Sequence, residues 1–356
     1  MNGEACIAFV ESPLQAFNLL EFHRKHPGKI DFIVVNKNTR LSSENARQMS
    51  FSLREIACDR LIFIEFYPVR NPLACIFYLW RAVILARALP EEKIKLVCGE
   101  YRSLFFWSLA SKLGRRVSSI FILDDGTATL RINRRNGDVR ASSGLKERAR
   151  DFLFRAMGFS LDRSRAISFF TAYDIRNVVA DTDEIIPNDY SEYRSIISRF
   201  PPDDGVVFII GTPLYEAGVV GDVDVEVTMA MIDVISREFS GKKILYVAHR
   251  REREDKLRRL REQVEVVSLG FPFELYSLVN GKALSCVAGF YSSLFDNLAM
   301  IFGRNIKIQA YELDLDLVNE GWKNFVSSVY GNYRKSYPEI ISTIPFSCVG
   351  LSEDDR

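Results

Sequence analysis

His249 ends the apolar run Lys243-Ile244-Leu245-Tyr246-Val247-Ala248 and is followed at once by Arg250, Arg251 and Glu252. The run reads as a buried parallel strand, and in open α/β sheets ligands sit just beyond the carboxyl ends of strands. An imidazole placed there can protonate or hydrogen-bond a departing group. A satisfied structural histidine is the plainer alternative. The other two histidines, His23 and His26, lie in the polar stretch Glu21-Phe22-His23-Arg24-Lys25-His26 and read as solvated.

Two carboxylates stand at another strand end, where Asp124-Asp125-Gly126 follows Ile120-Phe121-Ile122-Leu123. Paired carboxylates repel, which raises one pKa and poises a base. A solvated turn is the bland reading of the same three residues. Pro272-Phe273-Glu274 puts a carboxylate at a helix start, where it can accept both hydroxyls of a ribose or simply complement the helix dipole. Tyr291-Ser292-Ser293 follows the strand Leu284-Ser285-Cys286-Val287 and Gly289 and opens a helix. Two hydroxyls and backbone N–H groups at one helix start can cradle a phosphate, although an ordinary serine N-cap has the same sequence.

The elements that must position these residues alternate. Strands read at Ile7-Val10, Ile30-Val35, Arg60-Phe66, Lys93-Cys98 and Ser119-Leu123, with helices at Pro13-His23, Ser43-Ile56, Leu73-Leu89 and Ser103-Leu113. Ser12 suits an N-cap, Pro13 the first helical position, and Gln15 the far side of a capping box. That helix start can receive an anion or a sugar hydroxyl. After the turn-rich Phe200-Pro201-Pro202-Asp203-Asp204 a second alternating block begins. Its strands read at Val206-Ile210, Lys243-Ala248, Val264-Leu269, Ala283-Val287 and Asn305-Ala310, and its helices at Val225-Phe239, Glu252-Glu262, Phe273-Leu278 and Ser292-Ile301. The expected architecture is α/β and GT-B-like: two Rossmann-like domains with parallel sheets facing an interdomain cleft. Residues 1-200 form the first domain and 201-330 the second. A helical tail, 331-356, has the option of crossing back to the first.

Composition fits a soluble two-domain chain. The 356 residues carry a formal charge of +1, which excludes the strongly basic footprint of a nucleic-acid binder. Six cysteines, Cys6, Cys58, Cys75, Cys98, Cys286 and Cys348, form no C-x-x-C pair and read as buried thiols of a reducing, cytoplasmic compartment. Met1-Asn2-Gly3-Glu4 lacks the basic start of a signal peptide. The longest apolar stretch, Leu73 to Leu89, is broken by Arg81 and Arg87 and reads as a buried helix rather than a membrane span.

From Arg131 to Arg165 ten Lys or Arg face four Asp or Glu, with Phe152, Leu153, Phe154 and Phe159 interleaved. A solvated helix is the default; the alternative is a basic amphipathic face on an anionic membrane or an anionic glycan. Asn136-Gly137 suggests a β-hairpin within it. Two D-x-D sequences, Asp222-Val223-Asp224 and Asp314-Leu315-Asp316, could chelate a metal-bound nucleotide, but neither follows a strand of the first domain and both read as surface loops.

The order acidic-acidic-glycine, strand-end histidine, glutamate after proline and paired serines resembles the bacterial sialyltransferases and polysialyltransferases, including the lipooligosaccharide and capsular enzymes. Glu11-Ser12-Pro13-Leu14-Gln15 is similar to the opening strand-turn of that group, and the resemblance spans roughly residues 5 to 310. The family's His-Pro dipeptide is His249-Arg250 here. The resemblance implies an inverting, metal-independent transferase without a cofactor. It would move a nonulosonic acid such as sialic acid from a CMP-activated donor to a glycan hydroxyl of a surface polysaccharide or lipooligosaccharide. The expected location is cytoplasmic, with the inner face of the membrane as the option that the basic stretch leaves. Asp124 or Asp125 would be the base, and His249 would act on the leaving phosphate. Ser292 and Ser293 would hold phosphate oxygens, Glu274 the ribose, and Gly211-Thr212-Pro213 the pocket near the nucleobase. Ser12, Gln15, Arg250 and Tyr291 would contact substrate, and Asp222, Asp224 and Glu226 are fallback bases. A GT-B hexosyltransferase using another nucleotide sugar, or a non-catalytic nucleotide-binding capsule-assembly protein, remains open.

Overall fold

The structure, a computed structural model, describes residues 3–37, 44–126, 128–135 and 145–346. The Asn136-Gly137 turn, Cys348 and positions 347–356 of the tail lie outside them. The chain divides into two compact units, Met1–Glu192 and Tyr193–Arg356.

The first unit runs β1 (Glu4–Val10), α1 (Pro13–Lys25), β2 (Ile30–Asn36), α2 (Glu44–Leu53), β3 (Cys58–Ile64), α3 (Pro72–Arg87), β4 (Lys93–Cys98), α4 (Leu104–Leu113), β5 (Val117–Leu123), α5 (Leu145–Ala156), β6 (Ser168–Thr171), β7 (Glu184–Pro187) and the start of α6 (Ser191–Ile197). Its seven strands lie in the order β3-β2-β1-β4-β5-β6-β7, every pair parallel. The strands are apolar on both sides because helices cover both faces: β1 buries all but its first residue. On one face Phe9, Leu96 and Ile120 pack with Leu79 and Val83 of α3 and Trp107 of α4.

The second unit runs β8 (Val206–Ile210), α7 (Asp224–Glu238), β9 (Lys243–Val247), α8 (Glu254–Leu260), β10 (Glu265–Val267), α9 (Tyr276–Asn280), β11 (Cys286–Gly289), α10 (Ser293–Phe302), β12 (Lys307–Glu312), α11 (Glu320–Ser336) and β13 (Ile341–Pro345). Six strands lie in the order β10-β9-β8-β11-β12-β13, again all parallel. Two parallel sheets, each wound from the middle outward, give the GT-B-like class that the alternation predicts.

Some readings need correction. The Pro201-Pro202 stretch, read as a linker, is bonded into the second unit: Asp203 N–H donates to the Ala283 carbonyl and Ala283 N–H to that of Pro201, both at 2.8 Å. The tail completes α11 and then adds β13 beside β12. Asp224 is not a surface-loop residue but wholly buried, held by Lys256. Within the basic stretch the Arg134 side chain is only 6% exposed, its guanidinium forked onto Asp183 at 2.6 and 2.9 Å. Cys6, Cys75, Cys98 and Cys286 are buried and free, and burial pushes the Cys6 thiol up to about 12 and that of Cys75 to about 11. Among the described residues no helix is long and apolar enough to cross a membrane.

Candidate functional site

Ligands of doubly wound sheets bind where the strand order reverses. In the first unit that point lies between β1 and β4, and three neighbouring strands, β1, β4 and β5, each deliver carboxylates just past their ends: Glu11, Glu100, and Asp124 with Asp125. Gly99 permits the crowding, since a Cβ there would sit 2.5 Å from the Gln15 side chain.

The acidic pair splits into two roles. Asp124 is buried: Oδ1 accepts the Thr171 hydroxyl at 2.5 Å and Oδ2 the Ala172 N–H at 2.7 Å. Burial raises its pKa to about 7 against the pull of those donors. Asp125 is half-buried and accepts the Ser12 hydroxyl at 3.2 Å on Oδ1. Ser12 in turn caps α1, its Oγ taking the Gln15 N–H at 3.2 Å. Gln15 reaches back as a capping-box residue should, but its Oε1 takes the Glu11 N–H at 2.9 Å.

Glu11 and Glu100 complete the cluster. Burial, and then the hydrogen bond to Asp125 and its charge, lifts Glu100 to about 8. Burial lifts Glu11 to about 7 despite the Asn36 amide at 3.2 Å. A carboxyl raised this far holds its proton into the neutral range, and in that form Glu100 can donate to Asp125. The sequence reading passed over Glu100 and used Glu11 only as part of a motif. The signal was available: both follow a readable strand by one or two residues, as Asp124 and Asp125 do.

In the second unit the order reverses between β8 and β11. Gly211 follows β8, His249 lies two residues beyond β9, and Tyr291-Ser292-Ser293 follow β11. Thr212 Oγ1 donates to the Tyr291 carbonyl at 3.3 Å, tying two of these loops together. A Cβ on Gly211 would lie 2.3 Å from Glu252 Oε2 and 2.9 Å from the His249 nitrogen, so only glycine fits.

Behind His249 lies a buried charge network. Glu252 accepts the His249 N–H on Oε2 at 2.7 Å and the Tyr246 hydroxyl on Oε1 at 2.6 Å. Lys256 Nζ, with no side-chain exposure, pairs at 2.8 Å with both Glu252 and Asp224 and donates to the Thr212 carbonyl at 3.1 Å. One buried lysine thus joins the β8 loop to the histidine's loop. His249 Nδ1 accepts the Arg251 N–H at 3.2 Å, which leaves the neutral ring's proton on Nε2. Burial, then Arg250, Arg251 and Lys256, lowers its pKa to about 3. At neutral pH the ring is a hydrogen-bond donor rather than an imidazolium acid.

The Ser292 hydroxyl caps α10 by accepting the Leu294 N–H at 3.2 Å, and its own N–H is held by the Tyr333 hydroxyl at 3.1 Å. Ser293, exposed at the first helical position, offers the hydroxyl and N–H that an anion can meet. Glu274 is buried and held by the Asn297 amide at 3.0 Å, with the Arg250 charge acting on it. Pro213 and Tyr291 are half-buried beside these groups. The fallback residues separate: Asp224 is consumed by Lys256, Glu226 pairs with Arg259 at 3.5 Å, and Asp222 is exposed.

No family model matches the chain, and no curated protein matches it in sequence. In structure it is similar to UDP-GlcNAc 2-epimerase from Methanocaldococcus jannaschii, with a TM-score of 0.52 and 10% identity over 96% of this chain and 89% of that one. Another UDP-N-acetylglucosamine 2-epimerase superposes with a TM-score of 0.50 and 10% identity, covering 96% of this chain and 90% of the other. At such identities the likeness is one of fold, and the fold is GT-B-like.

Proposed function

We propose that the chain is an inverting glycosyltransferase that moves a nonulosonic acid such as sialic acid from a CMP-activated donor to a glycan hydroxyl, without a metal ion or cofactor. One observation carries this reading: His249, Gly211-Thr212 and Tyr291-Ser292-Ser293 stand on adjacent strand ends at the switch point of the second sheet, joined by Lys256 and Glu252. That is where a nucleotide phosphate is held in a doubly wound fold. The fold neighbours are enzymes of UDP-sugars by name, which supports nucleotide-sugar chemistry in general; the sialyltransferase resemblance of the motifs supports the CMP donor.

Donor-handling is assigned to the second unit. Glu274 would accept ribose hydroxyls, Thr212 and Pro213 would border the nucleobase, and Arg250 with Ser292 and Ser293 would meet the phosphate. Acceptor-handling is assigned to the first, with Ser12 and Gln15 at the edge of the carboxylate cluster. Asp125 is the base: it takes the proton of the acceptor hydroxyl as that oxygen attacks the anomeric carbon. The bond from that carbon to the phosphate oxygen breaks, and the electron pair leaves on CMP. His249 Nε2–H and the serine hydroxyls donate to the phosphate as its charge grows, the preorganised stabilisation that lowers such barriers. Asp124 positions the turn and takes no part in proton transfer.

Thermal unfolding tests the donor. CMP is expected to protect the chain in EDTA, with UDP and GDP giving no protection. Protection by UDP or GDP alone would overturn the CMP assignment in favour of a hexosyltransferase, and protection by CMP without hydrolysis or transfer of any CMP-sugar would favour the non-catalytic reading.

A further inference from the structure

We infer that α3 and α5 of the first unit form a docking surface for an anionic membrane. On α3, Leu73, Phe77 and Ile84 are 70%, 65% and 64% exposed, and on α5, Leu145 and Phe152 are 85% and 75% exposed. Spacings of four and seven place each set on one stripe of its helix. The helices are in contact and cover the same face of the first sheet: Phe154 of α5 stacks edge-on at 6.4 Å against Phe66, just before α3, and Trp80 of α3 meets Phe159, just after α5, at 5.4 Å. Their outward stripes therefore share one surface, and Met157 extends it. Apolar area of this kind, unburied in a chain of otherwise ordinary composition, marks an interaction site.

Charge selects the occupant. From Phe66 to Pro90 the sequence holds Arg70, Arg81 and Arg87 and no acidic residue. All three arginines are exposed, and Arg81 and Arg87 fall on either side of the Leu73-Phe77-Ile84 stripe. Arg148 and Arg155 of α5 are exposed beside Leu145 and Phe152. Large apolar side chains fringed by arginine suit an interface of acyl chains beneath anionic headgroups, where each basic residue adds electrostatic attraction. A protein partner would have to bury both stripes against an acidic rim; a lipid surface supplies both features at once. The inference is independent of the donor assignment, since no residue of either strand-end cluster is part of it.

Flotation with the full chain tests it, using vesicles of phosphatidylcholine alone and with about 30 mol% phosphatidylglycerol. The chain is expected to float with the anionic vesicles, to stay behind with the neutral ones, and to be released by about 0.5 M salt. Phe77→Ser with Phe152→Ser should lower partitioning by about a hundredfold, two apolar anchors being lost. Arg81→Glu with Arg87→Glu should lower it by about tenfold or more. Both pairs are exposed, so melting temperatures should stay at the parent value and separate lost binding from lost folding. Absence of flotation, or equal flotation of parent and variants, would overturn the inference. So would self-association by sedimentation that the two serine substitutions abolish, because a second copy would then be the occupant.

Discussion

The Glu252 carboxylate accepts the His249 backbone N–H at 2.7 Å, so the second residue beyond β9 is aimed by a side chain three positions downstream. The same carboxylate meets Lys256 at 2.8 Å, and Lys256 in turn holds the Thr212 carbonyl. Loop geometry at this switch point is thus set by buried charge.

His249→Ala should cut turnover by about 10² to 10³-fold, the scale of one lost donor at a charge-developing oxygen. His249→Gln, which keeps an N–H donor but cannot become an acid, should recover part of it. Steady-state kinetics with a CMP-sugar donor decide: if glutamine is as poor as alanine, proton transfer rather than hydrogen bonding is the role.

Lys256→Met should destabilise the second unit by about 3 to 5 kcal/mol, because it leaves Asp224 and Glu252 buried without a counter-charge. Urea unfolding gives the measurement. A loss under about 1 kcal/mol would mean that water or a rearranged side chain replaces the lysine.

Much of this was legible in the chain. Strand β4 was readable to its last residue, Cys98, because it lies between β1 and β5 and is apolar throughout its second half. The short strands β6, β7 and β13 were not, since four or five residues such as Ser168–Thr171 or Ile341–Pro345 carry too little periodicity to stand out from loop. At the site, the sequence pointed to His249, Asp125 and Ser292 through their places after strands. It could not show that Asp224 is buried against Lys256, thirty-two residues away, nor that Glu100 shares a hydrogen bond with Asp125. Those relationships depend on which strands are neighbours, and strand order is not written in local pattern.

Glu100, Glu11 and Asp124 have folded pKa values of about 8, 7 and 7, all above their ordinary carboxyl range. A raised carboxyl pKa means that the folded chain holds the proton longer than the unfolded one. Its contribution is complete below the unfolded pKa and is lost as pH rises through the folded value. Stability should therefore drain from the first unit between about pH 5 and pH 8. Glu100→Gln should be nearly neutral at the low end of that window and stabilising at the high end, so that the difference between variant and parent in urea midpoint grows with pH. A difference independent of pH would show that Glu100 ionises normally.

Asp124 and Asp125 should separate cleanly under single substitution. Asp125→Asn removes the carboxylate that accepts from Ser12 and Glu100 while keeping the shape of a half-buried side chain. Transfer should fall by about 10² to 10⁴-fold, the span of a lost general base, with the melting temperature held and CMP affinity unchanged, as the proposed assignment of the donor to the second unit requires. Slow donor hydrolysis should persist, because water attack does not depend on a base aligned with a bound sugar hydroxyl. Asp124→Asn should act the other way. Its Oδ2 partner is the Ala172 N–H and its Oδ1 partner the Thr171 hydroxyl, so an amide nitrogen on the Oδ2 side would meet an N–H donor in a buried place. Such a mismatch costs about 1 to 3 kcal/mol, and the loss should appear in stability before it appears in turnover per folded molecule. Measuring transfer, hydrolysis, CMP affinity and unfolding on both variants distinguishes the roles. Retained transfer in Asp125→Asn would move the base to Glu11 or Glu100, the two carboxyls that share its strand-end cluster.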